Sequence, residues 1–297
     1  MASYSADYKC GFAVIIGKPN VGKSTLMNRL VGEKLSIVSP RPQTTRHTVK
    51  GIYSNDKAQI VFLDTPGFLE PRYELHQQMI NKITTSLNDA DVIIYITDNN
   101  YPTDYDIKVS SIILKRVKIP KMALINKRDL FTSEDLLQTK EKLKENGFDI
   151  VTCISATQDH DFADLIEHIQ RYLPYSPPFY DPENLSDLPM RFFAQEIIRE
   201  QIFLQFKDEI PYSSTVTIES YHELPNKLEI MANVWLERKS QKIIFIGENG
   251  SKIKSVRQAA EKEIYKFTGK RVKLELWVKL KANWRKKRNA LKEFGYV

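Results

Sequence analysis

Short apolar runs alternate with stretches of helical spacing over the first 173 residues. Runs typical of strands lie near residues 10–16, 59–63, 91–97, 121–126 and 150–154, and helical stretches lie near 24–31, 72–88, 104–118, 133–146 and 161–172. Such alternation predicts a mostly parallel sheet with helices on both faces. A strand near 48–54, joined to the next by Ser54-Asn55-Asp56, predicts one antiparallel edge and six strands in all.

The alternation stops at a proline-rich segment, residues 174–190. Residues 174–189 include five prolines, which exclude a regular helix or strand. We therefore predict a first domain over 1–173, a semi-rigid linker over 174–190 and a second domain over 191–297.

A different order of elements follows the linker. Helical spacing lies near 192–206, strand-like runs near 215–219 and 228–236, an apolar run at 243–246 before a glycine-containing loop, a helix to about 267 and an alternating strand at 271–280. The order is helix, strand, strand, helix, loop, helix and strand. It predicts a small α+β domain.

Charge separates the two halves. The net charge is +7, and lysine plus arginine number 22 against 21 acidic residues in 1–173, 0 against 3 in 174–190 and 22 against 13 in 191–297. The excess of positive charge belongs to the last third of the chain. This excess predicts a polyanionic partner, either nucleic acid or an anionic membrane surface.

The composition favours the cytoplasm and no transmembrane segment. The only cysteines, Cys10 and Cys153, lie near predicted core strands of the first domain, so we expect free buried thiols rather than disulfides. No apolar signal opens the chain, and no apolar run is long enough to span a bilayer.

The first candidate for chemistry is a phosphate-binding loop between a strand and a helix. It reads Gly17-Lys18-Pro19-Asn20-Val21-Gly22-Lys23-Ser24, followed by Thr25. Backbone N–H groups of such a loop surround a diphosphate at the positive end of the helix. We expect Lys23 to reach the β- and γ-phosphates and the Ser24 hydroxyl to bind Mg²⁺.

A second polar group follows the next parallel strand. Asp64-Thr65-Pro66-Gly67 ends the apolar run 60–63 and places a carboxylate at the same sheet edge as the phosphate loop. We expect Asp64 to hold Mg²⁺ through water and the Gly67 N–H to contact the γ-phosphate.

Two further motifs predict guanine as the base. In Asn126-Lys127-Arg128-Asp129, the Asp129 carboxylate can accept hydrogen bonds from guanine N1–H and the 2-amino group, a pair of donors that adenine lacks. In Ser155-Ala156-Thr157, the Ala156 N–H can donate to guanine O6. Each motif alone is also typical of an ordinary turn, but their common order, each after a strand, predicts a GTP and GDP site.

The candidate RNA contact is Gly247-Glu248-Asn249-Gly250, between two helices of the second domain. Such a G-x-x-G loop clamps about four single-stranded nucleotides in KH domains, because glycines allow close approach of phosphates. The basic residues that follow are Lys252, Lys254 and Arg257. A helix-ending turn before a solvated basic helix face is the alternative. Glu248 departs from a wholly basic clamp, since it repels phosphate.

The cluster Trp284-Arg285-Lys286-Lys287-Arg288 leaves two interpretations open. It predicts either phosphate contacts beside an aromatic stacking surface or a solubilising C-terminal helix.

With these motifs, the chain resembles the translation-factor-related class of small GTPases and, over essentially its whole length, the Era family of ribosome-assembly GTPases. The resemblance implies a P-loop GTPase domain with a six-stranded sheet, followed by a type II KH domain. It also implies a switch in which GTP governs RNA binding by the KH domain. The implied partners are the 3′ end of 16S rRNA and the maturing small ribosomal subunit, and we expect a monomer.

The polar segment 36–47 is the expected switch, ordered only when γ-phosphate and Mg²⁺ are present. By resemblance to related GTPases, Thr45 completes the Mg²⁺ shell, with Thr44 as the second choice. An ordinary surface loop is the alternative.

Hydrolysis requires another source of catalysis, because Phe68 stands where Ras-like GTPases carry a glutamine that orients the attacking water. A partner, a backbone group or a monovalent cation could supply it. By resemblance to cation-activated GTPases, Asn20 is a candidate K⁺ ligand. A hydrogen bond that stabilises the loop is its alternative role.

Two other function classes remain open. A membrane-peripheral signalling GTPase would use its basic domain to bind anionic lipid at the inner face of the cell membrane. A KH-like module could also dock a protein. The absence of a lipidation motif and the strand pattern at 271–280 count against the membrane class.

Overall fold

The computed structural model describes residues 6–98, 103–116, 118–148, 150–158 and 162–297. The chain divides into two compact units. The first unit holds residues up to Ser36 together with Thr45–Glu70 and Met79–Asp187. The second unit holds Ile37–Thr44, Pro71–Gln78 and Leu188–Val297.

A six-stranded sheet forms the centre of the first unit. Its strands are β1 (Lys9–Ile16), β2 (Val49–Ser54), β3 (Ala58–Asp64), β4 (Val92–Thr97), β5 (Lys121–Ile125) and β6 (Ile150–Cys153), in the spatial order β2-β3-β1-β4-β5-β6. Among these strands only the β2–β3 pair is antiparallel, as the hairpin at Asn55 predicts. Every residue of β3 and β4 is buried, because helices cover both faces of the sheet.

Helices connect or follow these strands, and the helix after β3 begins within the segment Pro71–Gln78 of the second unit. They are α1 (Lys23–Val31), α2 (Glu74–Asn88), α3 (Asp104–Leu114), α4 (Ser133–Glu145) and α5 (Ala163–Tyr172). The hydroxyls of Thr103 and Thr132 cap α3 and α4, each with an aspartate three residues later that completes a capping box. The helix predicted near 104–118 ends earlier, at Leu114, and residues 115 and 116 are not helical. The start of the helix predicted near 161–172 falls on residue 161, which, like residue 117, lies outside the described part of the chain.

The proline-rich segment lies along the first unit, and we call residues 174–187 the strap. The Ile52 N–H of β2 donates to Leu185 O at 2.8 Å, and the Ser186 hydroxyl donates to Lys50 O at 2.6 Å. The Gln59 amide of β3 donates to Tyr180 O at 2.9 Å. The strap thus belongs to the first unit, and that unit ends at Asp187.

The second unit has the predicted order of elements with two short helices added. The elements are α6 (Met190–Gln205), α7 (Ile210–Ser213), β7 (Thr215–Leu224), β8 (Lys227–Leu236), α8 (Lys239–Ile246), α9 (Ser251–Thr268), β9 (Arg271–Leu280) and α10 (Arg288–Glu293). The sheet order is β7-β8-β9, with β9 parallel to β8. Apolar side chains that alternate along β9 pack on the core that the helices share.

Trp284 contradicts one sequence interpretation. Its ring is fully buried, its Nε1–H donates to Ser213 O at 2.8 Å, and it packs against Phe294 and Tyr296. The expectation of a stacking surface at Trp284 is therefore wrong. The aromatic residues that bury it lie ten and more positions away, beyond the basic run, and for this reason the local pattern did not predict its burial.

Candidate functional site

The phosphate loop and the other motifs of the first unit meet at the C-terminal ends of the parallel strands. The loop joins β1 to α1, and Asn20 and Gly22 have positive φ angles of 63° and 101°. A Cβ atom at Gly22 would lie 2.2 Å from Asn126 Nδ2, and one at Gly17 would lie 2.2 Å from Ile96 O. Glycine is required at both positions because a Cβ atom there would clash with these atoms of the same chain.

Lys23 lies inside this loop. Its Nζ donates to Lys18 O at 2.8 Å and to Gly17 O at 3.2 Å, and the residue is buried. Burial lowers the pKa of Lys23 to about 8, although the negative charges of Asp64 and Asp98 act in the opposite direction. A buried ammonium at this position can meet an anionic ligand directly.

Three oxygen-bearing side chains converge beside Lys23. The Ser24 hydroxyl donates to Asp64 Oδ2 at 2.7 Å and lies 2.9 Å from Thr45 Oγ1. Asp64 is fully buried, and its Oδ1 has no hydrogen-bond partner among the residues that the structure describes. Burial raises the pKa of Asp64, and the Ser24 hydroxyl and the Lys23 ammonium offset this only in part. A hard cation would satisfy such a carboxylate.

The structure distinguishes the two threonines of the predicted switch. Thr45 lies in the oxygen cluster with Ser24, whereas Thr44 Oγ1 donates to Arg41 O at 2.7 Å. Thr44 also closes the segment 37–44, which packs within the second unit, where the Val38 N–H donates to Glu200 Oε1 at 2.9 Å. The boundary between the two units thus falls between these neighbouring residues.

Asn126 joins the phosphate loop to the predicted guanine site. Its Nδ2 donates to Val21 O at 2.7 Å, and its Oδ1 accepts from the Ala156 N–H at 2.9 Å. Asn126, Ser155 and Ala156 are all buried, while Asp129 is exposed. The two motifs therefore act as one structural element with the loop.

Gly67 and Phe68 lie against the phosphate loop as well. A Cβ at Gly67 would approach Pro19 Cα to 2.8 Å, and the Phe68 N–H donates to Gly17 O at 3.1 Å. The ring of Phe68 is partly buried against the apolar core of the sheet. Its phenyl group offers no hydrogen bond to water.

Sequence reasoning missed Asp98, the first residue after β4. Its carboxylate lies 3.3 Å from Lys18 Nζ and 2.6 Å from Lys127 Nζ, so it contacts both the phosphate loop and the guanine motif. The sequence signal that could have identified it is its position, directly after β4, the strand that neighbours β1. No recognisable sequence motif accompanies it.

The glycine loop of the second unit is built differently. Gly247 and Gly250 have φ angles of 72° and 74°, and Asn249 has 49°. A Cβ at Gly247 would meet Lys252 Cγ at 2.7 Å. The loop forms one 3-10 turn over Glu248–Gly250 before α9 begins at Ser251.

Around this loop the predicted RNA-binding side chains are mostly exposed. Glu248, Asn249, Lys252 and Lys254 are exposed, and Arg257 is partly buried beside Glu261 at 3.4 Å. Sequence reasoning missed Ile243 in the second half of α8, whose side chain is 72% exposed. The neighbouring Ile244 is 43% exposed, so two adjacent isoleucines face solvent near the glycine loop.

Within the described ranges, each helix is too short or too polar to span a lipid bilayer.

Comparison with known proteins gives matches to both units. Residues 12–127 match the family described as 50S ribosome-binding GTPase, and residues 209–285 match the KH domain family. GTPase Era of Halothermothrix orenii is 40% identical over 292 residues, which cover 98% of this chain and 99% of that protein. GTPase Era of Lactobacillus helveticus is 39% identical, over 98% of this chain and 97% of the relative.

Two solved structures of Era match nearly the whole chain. A single-residue variant of Era from Aquifex aeolicus, bound to GDP and AlF₄⁻, has a TM-score of 0.93 and 34% identity, covering 97% of this chain and 99% of its own. Era in complex with MgGDPNP and nucleotides 1506–1542 of 16S ribosomal RNA also has a TM-score of 0.93 and 34% identity, over 98% and 99% of the two chains.

Proposed function

The chain belongs to the Era family of GTPases, and from that premise we propose that its KH domain binds the 3′ end of 16S rRNA under the control of the bound nucleotide. The enzyme binds GTP and GDP with Mg²⁺ and hydrolyses GTP to GDP and phosphate. The task we propose for this cycle is maturation of the small ribosomal subunit in the cytoplasm. We propose that the protein acts there as a monomer.

One observation carries the RNA target. A relative similar over 98% of this chain holds nucleotides 1506–1542 of 16S rRNA. The matched family model mentions the 50S subunit, but it spans only residues 12–127 and does not include the KH domain. The relative bound to 16S rRNA is similar over both domains, whereas the family model covers only the GTPase domain. We therefore propose the small subunit, rather than the 50S subunit, as the partner.

The residues of the first unit have these roles in the proposed mechanism. Ser24, Thr45 and Asp64 hold Mg²⁺, and Asp64 Oδ1, which has no hydrogen-bond partner among the described residues, fits that role. Lys23 stabilises the charge that builds on the phosphates during hydrolysis. When bound, the metal neutralises the β- and γ-phosphate oxygens.

Guanine selection uses Asp129 as acceptor, and the Ala156 N–H donates to guanine O6 by sharing or exchanging the bond that it makes to Asn126 Oδ1. Ala156 is held in place by Asn126, which is itself fixed to the phosphate loop. The remaining loop residues wrap the phosphates with their backbone N–H groups. They are Gly17, Lys18, Val21, Gly22 and Thr25, whereas Pro19 has no N–H and contributes only to the shape of the loop.

The attacking water is oriented by a group other than Phe68. We assign the stabilisation of transition-state charge, the role of an arginine finger, to K⁺, which the side-chain oxygen of Asn20 in the phosphate loop would hold. Hydrolysis should then be several-fold faster in K⁺ than in Na⁺ at equal ionic strength. Asn20→Ala should remove the difference, and equal rates of the unaltered protein in both salts would refute the assignment.

GTP acts on the second unit through the switch segment. Binding orders Thr45 in the first unit, and its neighbour Thr44 belongs to the segment 37–44 of the second unit. Because the two residues are consecutive in the chain, ordering of Thr45 by GTP also changes the position of Thr44 and its segment in the second unit.

The experiment is RNA binding with each nucleotide. RNA carrying the 3′ sequence of 16S rRNA and a scrambled control are titrated with protein bound to GDP or to a non-hydrolysable GTP analogue, at stated salt. Sequence-selective binding that changes with the nucleotide supports the proposal. Weak, salt-sensitive binding that ignores both sequence and nucleotide contradicts it.

The membrane alternative is tested with the same protein. Stronger binding to anionic vesicles than to the specific RNA would favour a peripheral signalling GTPase. Binding to neither would favour protein docking by the KH domain.

A further inference from the structure

Asp98 occupies a position that the order of strands makes distinctive. Strand β4 lies between β1 and β5 in the sheet. The phosphate loop follows β1, and the guanine motif follows β5. Because parallel strands end at one edge, the first residue after β4 lies between these two loops.

The carboxylate of Asp98 uses one oxygen for each loop. Oδ1 lies 3.3 Å from Lys18 Nζ of the phosphate loop, and Oδ2 lies 2.6 Å from Lys127 Nζ of the guanine motif. The side chains of Asp98 and Lys18 are 19% and 20% exposed. Partial burial makes these ion pairs stronger than pairs in open solvent.

Both lysines also take part in hydrogen bonds to backbone carbonyls of the phosphate loop. Lys127 Nζ donates to Asn20 O at 3.0 Å, and the carbonyl of Lys18 accepts from Lys23 Nζ at 2.8 Å. Asn20 and Lys127 have left-handed φ angles of 63° and 59°, which non-glycine residues adopt at a cost. Surrounding contacts must therefore hold both residues in place.

Asp106 shares part of this arrangement without joining the two loops. Its Oδ2 lies 3.9 Å from Lys18 Nζ and accepts hydrogen bonds from Thr103 within the α3 capping box. Asp98 alone among the described residues has ion pairs to both Lys18 and Lys127.

We propose that Asp98 is a positioning residue that holds the phosphate loop and the guanine loop at a fixed separation, so that one nucleotide spans both. It acts through Lys18 and Lys127 and does not touch the nucleotide. An isolated surface ion pair would contribute little. Here one carboxylate restrains two loops, and the cost of its removal should fall on nucleotide binding.

The test is the affinity of the full chain for a fluorescent GDP and for a non-hydrolysable GTP analogue. Asp98→Ala should weaken both by about tenfold, because the loops that it aligns contact the base and the β-phosphate that both nucleotides share. In turnover, KM for GTP should rise by a larger factor than kcat falls. Dissociation constants within twofold of the unaltered protein would overturn the proposal.

Asp56→Ala is the matched control. Asp56 is an exposed aspartate in the β2–β3 hairpin, at the other end of the strands, and its removal changes the net charge equally. It should leave both dissociation constants unchanged. If Asp98→Ala lowers the melting temperature of the nucleotide-free protein, Asp98→Asn replaces it, because asparagine keeps the side-chain shape. Asp98→Asn should weaken the binding of GDP and of the GTP analogue by equal factors.

A double-mutant cycle separates positioning from general weakening. Asp98→Ala and Lys127→Met remove the same pair, so the double variant should lose much less than the product of the single effects. A product of independent factors would overturn the proposal. High salt should reduce the effect of Asp98→Ala, since the pair is partly exposed.

Discussion

The two candidate sites use opposite means to present a binding surface. In the first unit, Lys23, Asp64 and Asn126 are buried and bonded to neighbouring parts of the site. In the second unit, the loop between Gly247 and Gly250 depends on backbone conformation, and its side chains are mostly exposed. A site for one small ligand needs fixed polar groups, whereas a surface for a flexible polymer needs close approach.

This contrast predicts where substitutions are costly. In the nucleotide site a changed side chain should cost binding, because its partners are left buried and unpaired. At the glycine loop a changed side chain should matter little, and a changed backbone should matter more. The following predictions test this difference, from the largest expected effect to the smallest.

Trp284→Ala should destabilise the second unit by about 3–5 kcal/mol, because it removes a buried indole and leaves a cavity. Urea unfolding followed by circular dichroism measures the loss, and GTP hydrolysis reports that the first unit remains folded.

The matched control is Trp277→Ala, since Trp277 is 56% exposed. It should cost under about 1 kcal/mol. Equal losses at both tryptophans would contradict the assignment of Trp284 to the core.

Lys23→Ala should weaken GDP binding by about 100-fold, since it removes the buried charge that meets the phosphates. RNA affinity of the nucleotide-free protein should stay within about twofold. Lys34→Ala removes an exposed lysine of the same unit and should change neither. Loss of both activities in Lys23→Ala would show that the two sites are not separable.

Asp106→Asn should destabilise the first unit by about 2 kcal/mol, because the amide keeps one acceptor oxygen for Tyr95 but places an NH₂ donor against the N–H and hydroxyl donors of Thr103. Burial raises the pKa of Asp106, but hydrogen bonds from Tyr95 and Thr103 outweigh it and lower the pKa overall. A carboxylate whose pKa is lowered by folding stabilises the fold fully at pH values above its pKa in the unfolded chain. This stabilisation is lost as the pH falls through the pKa in the folded protein.

Unfolding at pH 7 and near pH 3 measures this effect. The difference between Asp106→Asn and the unaltered protein should shrink at the lower pH. Glu219→Gln is the comparison in the second unit, where the pKa is also lowered, by hydrogen bonds from Asn233 and Lys279, but the side chain is exposed. It should change stability little.

Gly250→Ala should weaken RNA binding by about tenfold while hydrolysis of GTP is retained, because φ of 74° is costly for alanine by about 1–2 kcal/mol. Gly269→Ala is a matched control in the same unit, with φ of 70° at the end of α9 and open space around it. Equal loss of RNA affinity in both variants would assign the effect to the stability of the unit rather than to the loop.

Glu248→Gln should strengthen RNA binding about twofold at low salt, because it removes a repulsion between carboxylate and phosphate. The gain should disappear at high salt. The same substitution at Glu134, an exposed acid on α4 of the first unit, should have no effect.

Features with local causes were predictable from the sequence. The strands coincide with apolar runs. The phosphate loop was predictable because its glycines and lysine form a recognisable motif within eight residues. The β2–β3 hairpin is marked by Asn55. The family resemblance led to the expectation of Thr45 in the metal shell, and its place beside Ser24 supports that role.

Features with distant partners were not predictable. Trp284 is buried by Phe294 and Tyr296 and bonds to Ser213. Asp98 gains its importance from lysines on two other loops. The proline-rich segment was predicted as a linker because its composition excludes regular structure, but composition cannot reveal that its carbonyls accept bonds from β2 and β3.

The strap also limits how the sheet can associate. β2 is an edge strand, and an edge with free N–H and C=O groups is a template for pairing with another chain. Leu185 and Ser186 occupy such groups on Ile52 and Lys50. The strap's own prolines, including Pro177, Pro178 and Pro182, lack the N–H donors that a further strand would need. The segment that connects the two domains thus also protects this side of the sheet against intermolecular β-pairing.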